Sequence, residues 1–225
     1  MTPKLRVGVL ALQGSFKEHI EILKQLEKTQ NNYTLDLIEV RLPEEIESLD
    51  AIILPGGEST TIGKLAAECN LLDSLRNWTL VNSKPIWGTC AGMIMLCEDA
   101  KHSEEGGQNL IGGLKVQISR NFFGAQIRSF EKYIDGPPEF NTEPYKAIFI
   151  RAPAIVSIDE NSADKIQILS RLSGTPEDKS DPSDVIISAR KENILVTAFH
   201  PELTQDDRWH RYFIEKIVMP YFHAA

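Results

Sequence analysis

Short β-branched runs alternate with helical patterns through the first half of the chain. That alternation constrains the fold more than any other feature, because it is the pattern of βαβ units around a largely parallel sheet. Leu5 to Leu10, Leu35 to Val40, Ala51 to Leu54 and Pro85 to Gly88 read as strands. Ser15 and Glu18 form an S-x-x-E capping box, which predicts a helix over Phe16 to Lys28 with Ile20, Leu23 and Leu26 on its buried side. Helical patterns also cover Thr61 to Cys69 and Leu72 to Val81. The second half is strand-rich: Leu114 to Ile118, Ala125 to Phe130, Lys146 to Ile150, Ile166 to Leu172, Val185 to Ala189 and Ile194 to Phe199. Some of these are expected as antiparallel additions, giving a three-layer α/β domain with a mixed, mainly parallel sheet. Arg208 to Phe222 is expected as a closing helix that ends near Pro220. Asp135 to Pro144 and Ser173 to Asp184 read as surface loops rather than linkers, so residues 1–225 are expected to form one domain.

Charge narrows the function. Lys and Arg number 24 against 32 Asp and Glu, a net −8. Such a balance disfavours non-specific binding to nucleic acid or to an anionic membrane, both of which need a basic surface. No apolar run reaches the ~18 residues of a membrane span, and Val7 to Leu12 is too short for a secretory core, so a cytoplasmic location is expected. Cys69, Cys90 and Cys97 are an odd count without zinc-type spacing, so neither a disulfide framework nor a structural metal is expected.

Gly88-Thr89-Cys90-Ala91-Gly92 follows a predicted strand and opens a helical run. In such a G-x-C-x-G turn the glycines permit a sharp strand-to-helix reversal that lifts the nucleophile clear of the sheet. The helix terminus favours thiolate, and the amide of Ala91 can serve as an oxyanion donor. His200 ends the apolar run Ile194 to Phe199, and Pro201 places Glu202 on the same side of an extended segment. Cys90, His200 and Glu202 can therefore act as nucleophile, base and orienting carboxylate. Pro55-Gly56-Gly57 is another strand-end turn whose backbone could complete the oxyanion hole. Each feature has a blander alternative: a lone cysteine as buried filler, a strand-end histidine satisfied by its neighbours, a glycine pair that only reverses the chain. A cysteine hydrolase acting on another amide, a non-enzymatic scaffold and a zinc site built on the same three side chains are the rival functions.

The strand-PGG, G-x-C-x-G and H-P-E segments together resemble the class I (triad) glutamine amidotransferases. PGGEST at Pro55 to Thr60, GTCAG at Gly88 to Gly92, RNFFGAQ at Arg120 to Gln126, FIRAP at Phe149 to Pro153 and HPEL at His200 to Leu203 resemble one branch, the glutaminase subunits of pyridoxal 5′-phosphate synthase (the PdxT/SNO family). Ala11-Leu12-Gln13-Gly14 resembles that branch's G-L-Q-G, with Ala11 in place of the first glycine, and Phe122 stands where serine is more usual. The resemblance implies a flavodoxin-like domain that hydrolyses L-glutamine to glutamate and ammonia through a thioester on Cys90. It implies that His200 shuttles the proton and Glu202 orients it. It further implies that Gly57, Glu58, Ser59, Arg120, Ile150 and Arg151 line the glutamine site, that Gly56, Gly57 and Ala91 form the oxyanion hole, and that Gln13 lies near that hole and the partner interface. The implied partner is a (β/α)₈-barrel synthase subunit that receives the ammonia, and no metal or organic cofactor is implied.

Overall fold

The computed structural model describes residues 2–101, 108–123, 129–141, 143–172 and 185–224. Its sheet begins with β1 (Lys4–Leu10), which pairs in parallel with β2 (Thr34–Val40) and β3 (Ala51–Leu54). β4 (Ile86–Thr89) runs parallel to β3 and to β12 (Ile194–Thr197). Every residue of β3, β4 and β12 is buried, as expected for parallel strands covered on both faces.

Beyond β12 the sheet changes direction. β11 (Val185–Lys191) is antiparallel to β12, to β10 (Gln167–Leu172) and to β9 (Ala154–Ile158). β9 pairs antiparallel with β6 (Leu114–Ser119), which pairs in parallel with the edge strand β5 (Cys97–Lys101). A separate hairpin joins β7 (Ser129–Ile134) to β8 (Tyr145–Ile150).

The helices fall into two packed groups. α1 (Phe16–Lys28) contacts α5 (Arg208–Phe213), and α2 (Ser59–Glu68) contacts α3 (Leu71–Arg76) and α4 (Ala91–Leu96). With the sheet these make the expected α/β architecture. Among the described residues no helix is long and apolar enough to cross a membrane.

Several expectations are corrected. Ser15 precedes α1 at φ −86° and ψ 41° but makes no side-chain cap; its hydroxyl is directed elsewhere. The closing helix does not stop near Pro220. It passes through a π-helical stretch, Ile214–Val218, and continues as α6 (Met219–Ala224), so the residue without an N–H falls where the wider turn gives way to the α register. β5 was absent from the sequence reading because CEDAK lacks a β-branched pattern, and β9 because Pro153 interrupts the run that follows Ile150. The strand expected over Ala125 to Phe130 begins at Ser129, and residues 124–128 lie outside the described residues, as does the loop Ser173 to Asp184. The loop from Asp135 is not wholly a surface feature: Phe140 is buried and packs edge-on against Trp209, 5.2 Å between ring centres.

Candidate active site

Four adjacent parallel strands deliver their carboxyl ends to one edge of the sheet, where α/β folds bind ligands. β1 leads to Gln13, β3 to Gly56 and Gly57, β4 to Cys90 and β12 to His200. Cys90 turns there at φ 47° and ψ −101°, a conformation that non-glycine residues seldom adopt and that tight packing must enforce. Its flanking glycines explain how. A Cβ on Gly88 would run into the carbonyl of Gly92, and one on Gly92 would run into the carbonyl of Leu54. The Cys90 amide extends the ladder by donating to Thr197 O at 2.8 Å, which fixes the nucleophile against the strand that carries His200.

The catalytic candidates meet at one place. Cys90 and His200 line the same cavity, and a Cβ placed on Gly56 would strike the His200 ring and touch Cys90 Cβ. His200 Nδ1 is 2.7 Å from Glu202 Oε1, and both side chains are buried. Burial alone would push the His200 pKa down; hydrogen bonds and negative charge from Cys90 and Glu202 outweigh it and raise it to about 10. Burial alone would raise the Glu202 carboxyl, but the His19 imidazole and the bonds from His200 and Ser15 hold it down, at about 2. The arrangement therefore carries an imidazolium beside a carboxylate at neutral pH.

The cavity, of about 310 Å³, is small enough to suit an amino acid. Gln13, Gly57, Glu58, Ser59, Ala91, Arg120, Ile150 and Arg151 line it with Cys90 and His200, so nearly every residue singled out in the sequence meets at one place. Glu202 stands behind His200 and not on the wall, and the other exception is Gly56. Its Cα presses on the His200 ring, leaving no room for a Cβ, and its carbonyl accepts from Ser15 N at 3.1 Å. Because the peptide is trans, the following Gly57 N–H points away from Ser15. Gln13 Oε1 accepts from Glu58 N at 2.9 Å and abuts Gly57, which ties the first loop to the second.

Two of the charged wall residues, Glu58 and Arg120, are already paired. Glu58 caps α2 by accepting from the amides of Thr60 and Thr61, and it receives Arg120 Nη2 at 3.1 Å. Burial would raise its carboxyl pKa, but those amides, the Thr61 hydroxyl and the Arg120 charge lower it. Ser59 Oγ is buried and has no hydrogen-bond partner, although the residue lines the cavity. Arg151 stands at φ 47°, next to Ile150 O, which accepts from Cys90 Sγ at 3.9 Å.

Sequence reasoning missed four contributors. Asn121 and Ile94 line the cavity. Asn121 lies inside the quoted RNFFG segment, so its signal was present. Ser15 was read as a helix cap, yet its hydroxyl donates to Glu202 Oε1 at 2.6 Å. His19 falls within the predicted first helix with no role assigned to it, yet its Nε2 lies 3.4 Å from Glu202 Oε2. Only the meeting of α1 with the segment after β12 exposes these two roles, and no local spacing encodes it.

Residues 9–219 match the SNO glutamine amidotransferase family. The chain is 42% identical over 225 residues to a protein of Arabidopsis thaliana named a probable pyridoxal 5′-phosphate synthase subunit, covering 94% of this chain and 85% of the relative. It is 42% identical over 213 residues to the pyridoxal 5′-phosphate synthase subunit PdxT of Carboxydothermus hydrogenoformans, covering 95% and 98%. A solved structure titled as a glutamine amidotransferase superposes with a TM-score of 0.75 at 39% identity, over 93% of this chain and 97% of that one. The chain belongs to the SNO glutamine amidotransferase family.

Proposed function

We propose that this chain is the glutaminase subunit of pyridoxal 5′-phosphate synthase, a single cytoplasmic domain that hydrolyses L-glutamine and passes the ammonia to a (β/α)₈-barrel synthase subunit. The observation that carries the reading is Cys90 beside the bonded pair His200 and Glu202, with Cys90 and His200 in one cavity walled by Arg120 and Arg151. Glutamine's α-carboxylate suits the two guanidinium groups, and its ammonium suits the Glu58 carboxylate and the Ile150 carbonyl. Ser59 Oγ supplies a buried hydroxyl that lacks a partner until a polar ligand enters.

In the first half-reaction Cys90 Sγ bonds to the side-chain amide carbon of glutamine. The carbonyl π electrons move to oxygen, and the amides of Gly57 and Ala91 receive the resulting oxyanion. Collapse of this intermediate breaks the C–N bond; His200 gives its proton to the leaving nitrogen, which departs as ammonia. In the second half-reaction His200 takes a proton from water, whose oxygen attacks the γ-glutamyl thioester. The C–S bond breaks, glutamate leaves, and the freed sulfur again lies beside the protonated His200 with which the cycle began. Glu202 keeps His200 Nδ1 bonded throughout, so Nε2 is the nitrogen left to exchange protons. Every protein group in these steps belongs to this chain.

Ammonia released into water is lost to a synthase, so a docked state that is faster than the free one favours coupling. Gln13 and the Gly56-Gly57 turn, tied together through Glu58 N, are the elements a partner would act on. The test is ammonia release from glutamine by the purified chain, alone and with the barrel subunit. The expected outcome is a rise of at least about tenfold on mixing, worth about 1.4 kcal/mol of barrier, most of it absent in Gln13→Ala. Full activity from the chain alone, unchanged by the partner, would overturn the coupling. No glutamine hydrolysis in either state would overturn the function.

A further inference from the structure

Behind the catalytic line lies a second histidine pair that the reaction above does not use. His19, on α1, and His210, on α5, are both fully buried. His19 Nδ1 is 2.9 Å from His210 Nε2, and His19 Nε2 is 3.2 Å from Thr89 Oγ1 and 3.4 Å from Glu202 Oε2. The Trp87 ring closes the compartment, its centre 5.7 Å from that of His19 and 4.9 Å from that of His210. Two imidazoles in an apolar pocket are costly unless their polar atoms are matched, so their tautomers can be deduced from the partners.

Burial is the main effect on both rings and lowers both pKa values, so both are neutral. One N–H then lies between His19 and His210. If His19 donated it, His210 would carry its proton on Nδ1, a buried atom with no partner, and the bare His19 Nε2 would face a carboxylate oxygen. If His210 Nε2–H donates to His19 Nδ1, His19 carries its proton on Nε2, directed at Thr89 and Glu202. The unmatched atom is then only an acceptor, His210 Nδ1. The second arrangement has one fault where the first has two, and the worse of those, a buried donor without an acceptor, is removed.

The carboxylate points the same way. Glu202 Oε1 is shared by His200 and Ser15, whereas Oε2 is buried and has no full hydrogen bond, with His19 Nε2 the nitrogen that faces it. We propose that His19, held as its Nε2–H tautomer by His210, is a positioning residue for the reaction: it fixes the far oxygen of Glu202 so that the near oxygen stays on His200. The charged and titratable groups around His19 are Glu202 and His200 from the segment after β12, Glu18 from its own helix and His210 from α5; Thr89 and Trp87 from β4 are neutral. His19 does not line the cavity, so its loss affects turnover rather than glutamine affinity.

The inference rests on the glutaminase reading, and the test separates the two. Nitrogen-15 NMR of the wild-type chain reads the His19 tautomer without substrate or variant. An Nε2–H form is expected, and an Nδ1–H form overturns the proposal whatever the activity. Two variants then divide the ring's functions: His19→Asn keeps a polar group near Nδ1 but none near Nε2, and His19→Gln does the reverse. With the barrel subunit present, His19→Asn is expected to lower kcat for ammonia release at least about tenfold with KM within about twofold. It should also move the acid limb of the pH profile upward, because a carboxylate that loses a donor protonates more readily. His19→Gln is expected to stay within about threefold of wild type. Equal losses in the two variants, or full turnover in His19→Asn, would show that the pair serves only packing. A wild-type chain with no glutaminase activity would remove the function and leave the tautomer to decide the positioning.

Discussion

The two halves of the sheet contribute differently. The parallel half, β2-β1-β3-β4-β12, carries Gln13, the Gly56-Gly57 turn, Cys90 and His200 at the ends of adjacent strands, each fixed by ladder hydrogen bonds or by glycine contacts. The antiparallel half and the β7-β8 hairpin carry Arg120, Ile150 and Arg151, which reach the same cavity from the opposite side. Cys90 N bonds to Thr197 O and His200 N bonds to Ile148 O at 2.8 Å, and the second bond registers the hairpin against the catalytic edge. Under the proposed function, the parallel strands would supply the chemistry and the antiparallel additions the grip on the substrate. Changes in the first half should fall on kcat, and changes in the second on KM.

The largest effect expected is that of Cys90→Ala, which removes the one cysteine among the described residues that lines the cavity and should abolish thioester formation while leaving the fold intact. Cys97 cannot substitute: burial drives its pKa up to about 12, and its Sγ is bound to Ile94 O. Labelling with a glutamine-mimicking electrophile followed by peptide mass analysis should find Cys90 alone; adduct at Cys69 would break the assignment. His200→Asn should be nearly as severe, because among the described residues no other histidine lines the cavity with Cys90. Glu202→Gln should retain more activity, about tenfold to a hundredfold below wild type, since it acts through His200. Wild-type turnover in Glu202→Gln would remove it from the site.

Much of the catalytic half was legible because its signals are local. A strand, a glycine pair and a strained turn are written in consecutive residues, and α1 and β3 begin and end where the sequence places them. The nucleophile turn follows from Gly88 and Gly92, whose missing Cβ atoms are a steric necessity. The support behind Glu202 was not legible. Ser15 and Glu18 satisfy the capping-box spacing, yet the hydroxyl binds a carboxylate 187 positions later, a stronger charge-assisted bond than an amide offers. His19 and His210 are separated by 191 positions and meet only when α1 packs on α5. In the antiparallel half, β5 and β9 escaped because their short runs carry neither helical nor clean two-residue periodicity.

The substrate half gives the next effect in size. Arg120→Ala should raise KM for glutamine about tenfold and change kcat less, because it removes a carboxylate partner from the wall and leaves Cys90 and the His200–Glu202 bond untouched. It also frees Glu58, whose capping bonds to Thr60 and Thr61 should keep α2 folded. Arg151→Ala should behave alike. A fall in kcat at saturating glutamine with unchanged KM, measured by steady-state ammonia release, would erase the division between the two halves.

The smallest effect distinguishes positioning from chemistry within the parallel half. Ser15→Ala keeps the backbone bond from residue 15 to Gly56 O, so the oxyanion turn is retained, and deletes only the hydroxyl that donates to Glu202 Oε1 at 2.6 Å. His200 still occupies that oxygen, so kcat should fall only about threefold, with KM unchanged. Stability gives the sharper reading. The Glu202 carboxyl sits at about 2 when folded against 4.5 ordinarily, and the Ser15 bond is one of the influences holding it there. A depressed carboxyl pKa stabilises the fold above its unfolded value and ceases to do so as pH falls through the folded one. In urea titrations Ser15→Ala should therefore be less stable than wild type by about 1.5 kcal/mol at pH 6, and the deficit should close as the pH is lowered toward the folded value. A deficit that persists undiminished in acid would mean that the hydroxyl supports the start of α1 rather than the carboxylate, and Ser15 would return to the role of a helix cap.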